Sequence, residues 1–106
     1  MTFYLLNSPV LTDWGNYDFR GPLDAAQARQ MLPSQFISAI GHQSTTDLLS
    51  ELLQCAIPMN RSQIVMQAGD QALVFRLLKR PPEGQVMDKQ QMLALGYTFG
   101  LLSKLT

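Results

Sequence analysis

Three helix-start signals do most to constrain the fold of this chain of 106 residues. Each joins a short polar residue to a Gln or Asp three positions later. This is the spacing of a capping box, in which two side chains satisfy free amides at a helix N-terminus. The pairs are Asp24 with Gln27, Ser44 with Asp47, and Asp88 with Gln91. Segments that favour helix follow all three pairs, so the sequence predicts three helices.

The boundaries of these helices are predicted from proline, glycine and capping residues. Pro33 ends the first helix, and the second begins just after His42, with Ser44 or Thr45 as its N-cap. Gly100 is the predicted C-terminal cap of the third helix. The residues that would share one face of the third helix are Met92, Leu95, Gly96 and Phe99.

Apolar runs between the helices predict the strands. They are residues 3–11 with a polar break at 7–9, 17–19, 35–40, 64–67, 72–78 and 101–105. Turn residues at 13–16 predict a hairpin of the first two runs, and those at 68–71 predict a hairpin of the fourth and fifth, at the sheet centre. The expected fold is α+β or mixed α/β: residues 1–106 form one domain, with a single mixed sheet of about five to six strands flanked by three helices.

The charge balance argues against a protein that binds long nucleic acid. Eight basic and eight acidic residues cancel, so there is no diffuse positive field of the kind that attracts polynucleotides. Half of the basic residues nevertheless fall within one stretch of the chain, where a compact anion can bind. These residues are Arg61, Arg76, Lys79 and Arg80.

Cysteine, histidine and hydropathy limit the location and the cofactors. The single cysteine, Cys55, cannot form an internal disulfide, and no basic segment followed by an apolar run opens the chain, so we expect a cytoplasmic protein. No apolar run approaches the ~20 residues of a membrane span. His42 is the only histidine, which excludes a paired-histidine zinc site, and we expect no metal or other cofactor.

The position of His42 suggests chemistry. It follows Gly41 and precedes the polar residues 43–46 at a helix entrance, where free amides and the helix dipole attract phosphate. The alternative is a surface or capping histidine, and the residues alone favour this alternative. Ser44 and Thr45 have a sufficient structural role if one of them is the N-cap.

A second candidate site lies at residues 80–84. Pro81 and Pro82 stiffen the segment and hold Arg80 and Glu83 at a set separation. An arginine held this way can clamp a phosphate, and a glutamate can accept a hydroxyl proton or orient the arginine. The alternative is a surface ion pair worth under ~1 kcal/mol. Arg61 lies in an irregular connector and reaches either a cleft or solvent.

Three segments together resemble a known family. They are YLLNS at residues 4–8, SAIGHQST at residues 38–45, and the stretch from Asn60 and Arg61 through Arg80 to Glu83 and Gly84. In order and spacing the chain is similar to the viral ring nucleases, the type III anti-CRISPR family, over nearly its whole length. The GHxST element is the most specific part of the likeness.

The resemblance implies a homodimer that encloses cyclic tetraadenylate, the second messenger of type III CRISPR defence, and cuts it to linear diadenylate without a metal. It implies that a ribose 2′-hydroxyl attacks the phosphodiester, that His42 is the general acid, and that Arg80 and Glu83 complete the catalytic group. The remaining residues match substrate-binding positions in the family. They are Asn7, Ser8, Gly41, Ser44, Thr45 and Arg61.

Two other functions stay open at this stage. The same arginines and helix entrance also suit a sponge that sequesters a cyclic oligonucleotide without cutting it. The third possibility is an anti-defence module that blocks a host complex through a protein surface. If the gene belongs to a virus or prophage, the expected location is the host cytoplasm.

Overall fold

The computed structural model describes residues 1–7, 13–79 and 88–106. Within them the chain forms five strands and three helices in the order β-β-α-β-α-β-α-β. The elements are β1 Phe3–Leu6, β2 Tyr17–Leu23, α1 Ala25–Met31, β3 Ile37–Ser38, α2 Gln43–Leu53, β4 Gln71–Leu77, α3 Lys89–Leu95 and β5 Tyr97–Lys104. None of the helices in these ranges is long and apolar enough to cross a bilayer.

The five strands form one mixed sheet in the order β2-β5-β4-β1-β3. Strands β3 and β4 pair with β1 in parallel, and β5 pairs antiparallel with β2 and β4. The sheet therefore has a parallel half, β4-β1-β3, and an antiparallel half, β2-β5-β4. This architecture confirms the predicted fold class of a mixed sheet with three helices.

The helices share a large apolar core with one face of the sheet. Alternate residues of the inner strands point to this face, among them Leu5, Leu73 and Phe75, each no more than 2% exposed. From α2, Leu48 and Leu49 meet them and are equally buried. Burial of side chains of this size stabilises by about 1.5–3 kcal/mol each, so packing fixes how α2 lies on the sheet.

Both predicted hairpins are wrong. Strand β1 does not pair with β2, because its residues Leu5 and Leu6 are buried and β1 therefore takes a neighbour on each side, β3 and β4. Residues 61–67 form no strand, and Met66 instead packs with Ala72 and Val74 on the sheet face opposite the core that the described helices share. The turn at 68–69 leads straight into β4, with the Asp70 carboxylate accepting the Gln67 amide. The prediction that the 72–78 run lies at the sheet centre is correct.

The predicted boundaries of the third helix and last strand are also wrong. Helix α3 ends at Leu95, and Gly96 at φ 80° is its C-cap, so Phe99 and Gly100 belong to β5. The reason is pairing, because β5 lies along the whole of β4 and buries Phe99 against Phe75. Similarly, the 35–40 run forms only the short strand β3. The predicted α1, with its capping box and its end before Pro33, is confirmed.

Candidate functional site

The parallel half of the sheet brings Asn7, Gly41 and His42 to one edge. Because β4, β1 and β3 run in the same direction, their carboxyl ends open on the same side, which is where ligands bind in open α/β sheets. Asn7 follows β1 directly, and Gly41 and His42 follow β3. Strand β4 ends at Leu77 and leads to Lys79, the last described residue before the 80–84 segment.

Helix α2 begins at this edge with an open N-terminus, that is, one capped by no side chain of the described residues. His42 itself is the N-cap, with φ −129° and ψ 130°, and its side chain makes no capping hydrogen bond. The prediction of Ser44 or Thr45 as N-cap is therefore wrong, although the helix does begin just after His42. The first hydrogen bond within the helix runs from the Thr46 amide to the His42 carbonyl at 3.2 Å. The three amides before it, of residues 43–45, are left without a cap from the His42 side chain.

The two threonines that follow have structural contacts. Thr45 is 7% exposed, and its hydroxyl donates to the Met92 sulfur at 3.8 Å, which joins α2 to α3. Thr46 is fully buried and donates to the carbonyl of Gln43 at 2.8 Å. Ser44 is half-buried. The hydroxyl of Thr45 is thus engaged with α3, and contact of Thr45 with a ligand falls to its backbone amide.

Arg61 lies beside the peptide that precedes His42. Its Nε and Nη2 atoms donate to the Gly41 carbonyl at 3.4 and 3.1 Å, across a separation of 20 residues. The packing is close, since a Cβ atom on Gly41 would lie 3.3 Å from Cγ of Arg61. Arg61 and His42 are both exposed. The structure therefore brings together Gly41, His42 and Arg61, three of the residues that the sequence selected.

Three of the predicted site residues lie outside the described residues. These are Ser8, Arg80 and Glu83. On the C-terminal side of the 80–87 segment, α3 begins at Lys89 and packs against α2. Lys89 forms an ion pair with Glu51 of α2, in addition to the contact between Met92 and Thr45.

Sequence reasoning assigned no role to Asn60, which contacts the same loop. Its Nδ2 atom donates to the Ser38 carbonyl at 2.7 Å, and its amide donates to the Ile40 carbonyl at 2.8 Å. No spacing or periodicity points to this residue, because the contact joins an irregular connector to the edge of β3. It was visible only as part of the Asn60 and Arg61 pair in the family resemblance.

Among the described residues of the basic stretch, Arg76 does not share the surface on which Arg61 lies. Arg76 alternates along β4 with Val74 and so lies on the same sheet face, with its guanidinium carbon 5.9 Å from the centre of the Phe19 ring. A cavity of about 240 Å³ beside this pair is lined also by Thr98 and Gly100. Another, of about 420 Å³, lies near Gln71 and Ser103. Both are in the antiparallel half, away from His42.

The shifted carboxyl groups also lie away from His42. Burial would raise the pKa of Asp70, but hydrogen bonds from the Gln67 and Thr2 amides, each at 2.8 Å, and the charges of the N-terminal amine and Lys104 hold this pKa below its usual value. The pKa of Asp13 is lowered by the amide of Trp14 and by Lys104. These groups stabilise the corner where β4 begins and β5 ends.

No metal centre is found among these groups. Within residues 1–7, 13–79 and 88–106, no three His, Cys, Asp or Glu side chains come together in a way that could hold a metal ion.

A mixed five-stranded sheet with three helices places the chain among small α+β proteins, and the comparisons identify the family. Residues 3–99 match the family model described as STIV B116-like, so the chain belongs to the STIV B116-like family.

Viral and bacterial relatives support this membership. Uncharacterized protein ORF117 of Acidianus two-tailed virus is 43% identical over 75 residues, which are 70% of this chain and 64% of the relative, so the match spans just under two thirds of ORF117. Uncharacterized protein 26 of Sulfolobus islandicus filamentous virus is 32% identical over 97% of this chain and 92% of its own length. Uncharacterized protein YddF of Bacillus subtilis is 31% identical over 99% of both chains.

A solved structure supports the fold. The structure of B116 of Sulfolobus turreted icosahedral virus superposes with a TM-score of 0.75, covering 97% of this chain and 99% of B116 at 23% identity. At that identity the likeness establishes the shared fold alone.

Proposed function

We propose that this protein is a metal-independent ring nuclease, which binds cyclic tetraadenylate and cuts it to linear diadenylate, thereby antagonising type III CRISPR signalling. The observation that carries the proposal is the meeting of Gly41, His42 and Arg61 at the open N-terminus of α2, on the carboxyl edge of the parallel strands. The resemblance of these residues to the viral ring nucleases adds the reaction and the substrate.

The geometry suits a phosphate at this edge. The uncapped amides of residues 43–45 and the positive end of the α2 dipole attract an anion. Arg61 uses two of its five N–H groups on the Gly41 carbonyl, and makes no other hydrogen bond to the described part of the chain. Its remaining N–H groups can donate to a further oxygen of the phosphate that the α2 amides attract.

The reaction needs little beyond positioning, because RNA carries its own nucleophile. A ribose 2′-oxygen forms a bond to phosphorus while the bond from phosphorus to the 5′-oxygen breaks, with the two oxygens in line. The proposed role of His42 is to donate a proton to the departing 5′-oxygen. Arg80 stabilises the charge on the phosphorane. Glu83 accepts the 2′-hydroxyl proton or, where it orients Arg80 instead, solvent water accepts that proton.

A homodimer completes the proposal. A cyclic tetranucleotide has rotational symmetry, and a two-fold protein interface matches it by placing one His42 against each of two opposite phosphates. Two cuts then release two dinucleotides. In this role the protein acts in the cytoplasm of the host cell.

The test is incubation of the purified protein with cyclic oligoadenylates of several ring sizes in excess EDTA, followed by chromatography of the products. We expect cyclic tetraadenylate to disappear and linear diadenylate to accumulate. An unchanged ring after long incubation contradicts the proposal. Tight calorimetric binding without turnover indicates the sponge, and co-purification of a host protein with no ring binding indicates an anti-defence module.

A further inference from the structure

The edge strand that leads to His42 is held from both sides. On its inner side β3 pairs with β1, and the amide of Ala39 donates to the Leu5 carbonyl at 3.0 Å. On its outer side no strand pairs with β3 in the described part of the chain. Residues 60–61 lie there instead. A strand of two residues has few ladder hydrogen bonds of its own, so this outer contact matters for its position.

Three carbonyl groups before His42 accept hydrogen bonds from residues 60–61. Asn60 donates to Ser38 through its side chain at 2.7 Å and to Ile40 through its amide at 2.8 Å. Arg61 donates to Gly41 at 3.1 Å. Ser38 and Ile40 are 3% and 0% exposed, so water cannot easily replace these donors.

From these contacts we propose that Asn60 is a positioning residue for His42. It acts through the backbone of residues 38–41 and does not touch the substrate. On the C-terminal side, α2 is anchored by Leu48 and Leu49 in the core. Asn60 and Arg61 anchor the N-terminal side, and the imidazole is carried between the two anchors. The inference rests on the proposed function, since it assigns these hydrogen bonds a role in catalysis.

The residue type fits this role. The contact with Ser38 requires a short side chain with an N–H donor, which asparagine has and aspartate lacks. In Asn60→Asp a carboxylate oxygen replaces the donor and faces the Ser38 carbonyl oxygen, so attraction becomes repulsion with almost no change in size. Asn60→Asp is therefore the variant that removes the hydrogen bond to Ser38 with the least change in packing.

The expected result is a loss in kcat. A misplacement of about 1 Å costs on the order of 10²-fold in rate, so we expect kcat of Asn60→Asp for cyclic tetraadenylate to fall about ten- to hundredfold with KM within about twofold. Gln63→Ala is the matched control, because Gln63 is an exposed polar residue of the same connector with no hydrogen bond to the described residues. It should keep the full rate. A rise in KM at unchanged kcat overturns the positioning role.

Hydrogen exchange tests, without any enzyme assay, whether Asn60 stabilises the backbone of residues 38–41. In Asn60→Asp the amide of Ala39 should exchange faster, while the amides of Leu73 and Phe75 in β4 keep their protection. Equal loss of protection in β4 indicates a general structural role and overturns the inference, as does unchanged exchange at Ala39. If Asn60→Asp does not fold, Asn60→Ala, which adds no charge, takes its place in both measurements.

The two readouts separate the failure of this inference from the failure of the proposed function. If the wild-type protein cuts no ring, the proposed function fails, yet the exchange at Ala39 still shows whether Asn60 holds the loop. If the wild type cuts the ring and Asn60→Asp cuts it at the same rate, only the positioning role fails.

Discussion

The N-termini of α1 and α3 differ from that of α2. In α1 the Asp24 carboxylate accepts the Gln27 amide at 2.8 Å and the Gln27 side chain accepts the Asp24 amide at 3.0 Å. Helix α3 repeats this box with Asp88 and Gln91. Helix α2, the longest of the three, has His42 at the same position with no capping side chain.

The difference separates a stable helix end from one that is free to bind. An N-cap side chain contributes about 0.5–2 kcal/mol, and α2 forgoes this stabilisation at the edge where Arg61 and Gly41 also meet. Local rules that favour stability are most often broken at functional sites. The comparison therefore marks the α2 end as the candidate site and the other two ends as structural.

Transplanting the aspartate cap to α2 should give the largest effect. In His42→Asp the carboxylate can cap the helix and stabilise the fold by about 1 kcal/mol, measured by urea unfolding. Because the general acid is lost and the new charge repels phosphate, ring cleavage should fall by about 10²–10⁴-fold or more. His42→Asn is the matched control, since it caps without charge and should bind the ring better than His42→Asp. A rate within about twofold of wild type in either variant contradicts this role of His42.

Removal of Arg61 should weaken binding at the open end. A charge-assisted hydrogen bond contributes about 1.5–3 kcal/mol, so we expect Arg61→Ala to raise the Kd for cyclic tetraadenylate by about ten- to hundredfold in calorimetry. Arg29→Ala, which removes an exposed charge from the last turn of α1, is the control and should leave the Kd unchanged. Equal effects of the two substitutions would mean that Arg61 contributes only its charge.

Removal of the N-cap side chain should destabilise the fold more at α1 and α3 than at α2. Asp24→Ala and Asp88→Ala should each destabilise the fold by about 1 kcal/mol in urea unfolding, because each leaves capped amides without a partner. His42→Ala has no capping bond to lose and should cost less than either. If His42→Ala destabilises as much as Asp24→Ala, the α2 end is not open in solution.

The loss of stability in acid should depend on Asp70, which is not one of the capping carboxylates. Its pKa is held below the usual value, so its contribution to stability is present above about pH 4 and is lost as the pH falls further through the folded-state pKa. We expect Asp70→Asn to show a shallower loss of stability with acid than the wild type in urea unfolding below pH 4. An identical acid dependence contradicts the contribution of Asp70.

The elements with local signals were predictable from the sequence. The capping boxes of α1 and α3 involve residues three positions apart, and the apolar face of α2 has helical spacing, so these elements follow from local chemistry. The strand partners do not follow from local chemistry. The first predicted hairpin is wrong because β1 pairs with strands that lie about 30 and 70 residues further along the chain, and no local turn encodes such pairing. The second is wrong because residues 61–67 form no strand.

The candidate site was predictable in part, for the same reason. His42 was singled out because it follows Gly41 at a helix start, whereas Arg61 was assigned to the site only by the family resemblance. The exact N-cap was predicted wrongly, since core packing of Leu48 and Leu49 fixes where α2 lies and local capping preference yields to it. The contacts of Asn60 with Ser38 and Ile40 were beyond prediction, because they join segments 20 or more residues apart.

The sharpest measurement compares the wild type with His42→Ala on cyclic tetraadenylate in excess EDTA, with single-turnover cleavage followed by chromatography and binding followed by calorimetry. We expect the wild type to convert the ring to linear diadenylate, and His42→Ala to bind the ring about as tightly while cutting it about 10²–10⁴-fold more slowly. Cleavage by His42→Ala at the wild-type rate would show that the open end of α2 is not where the chemistry occurs.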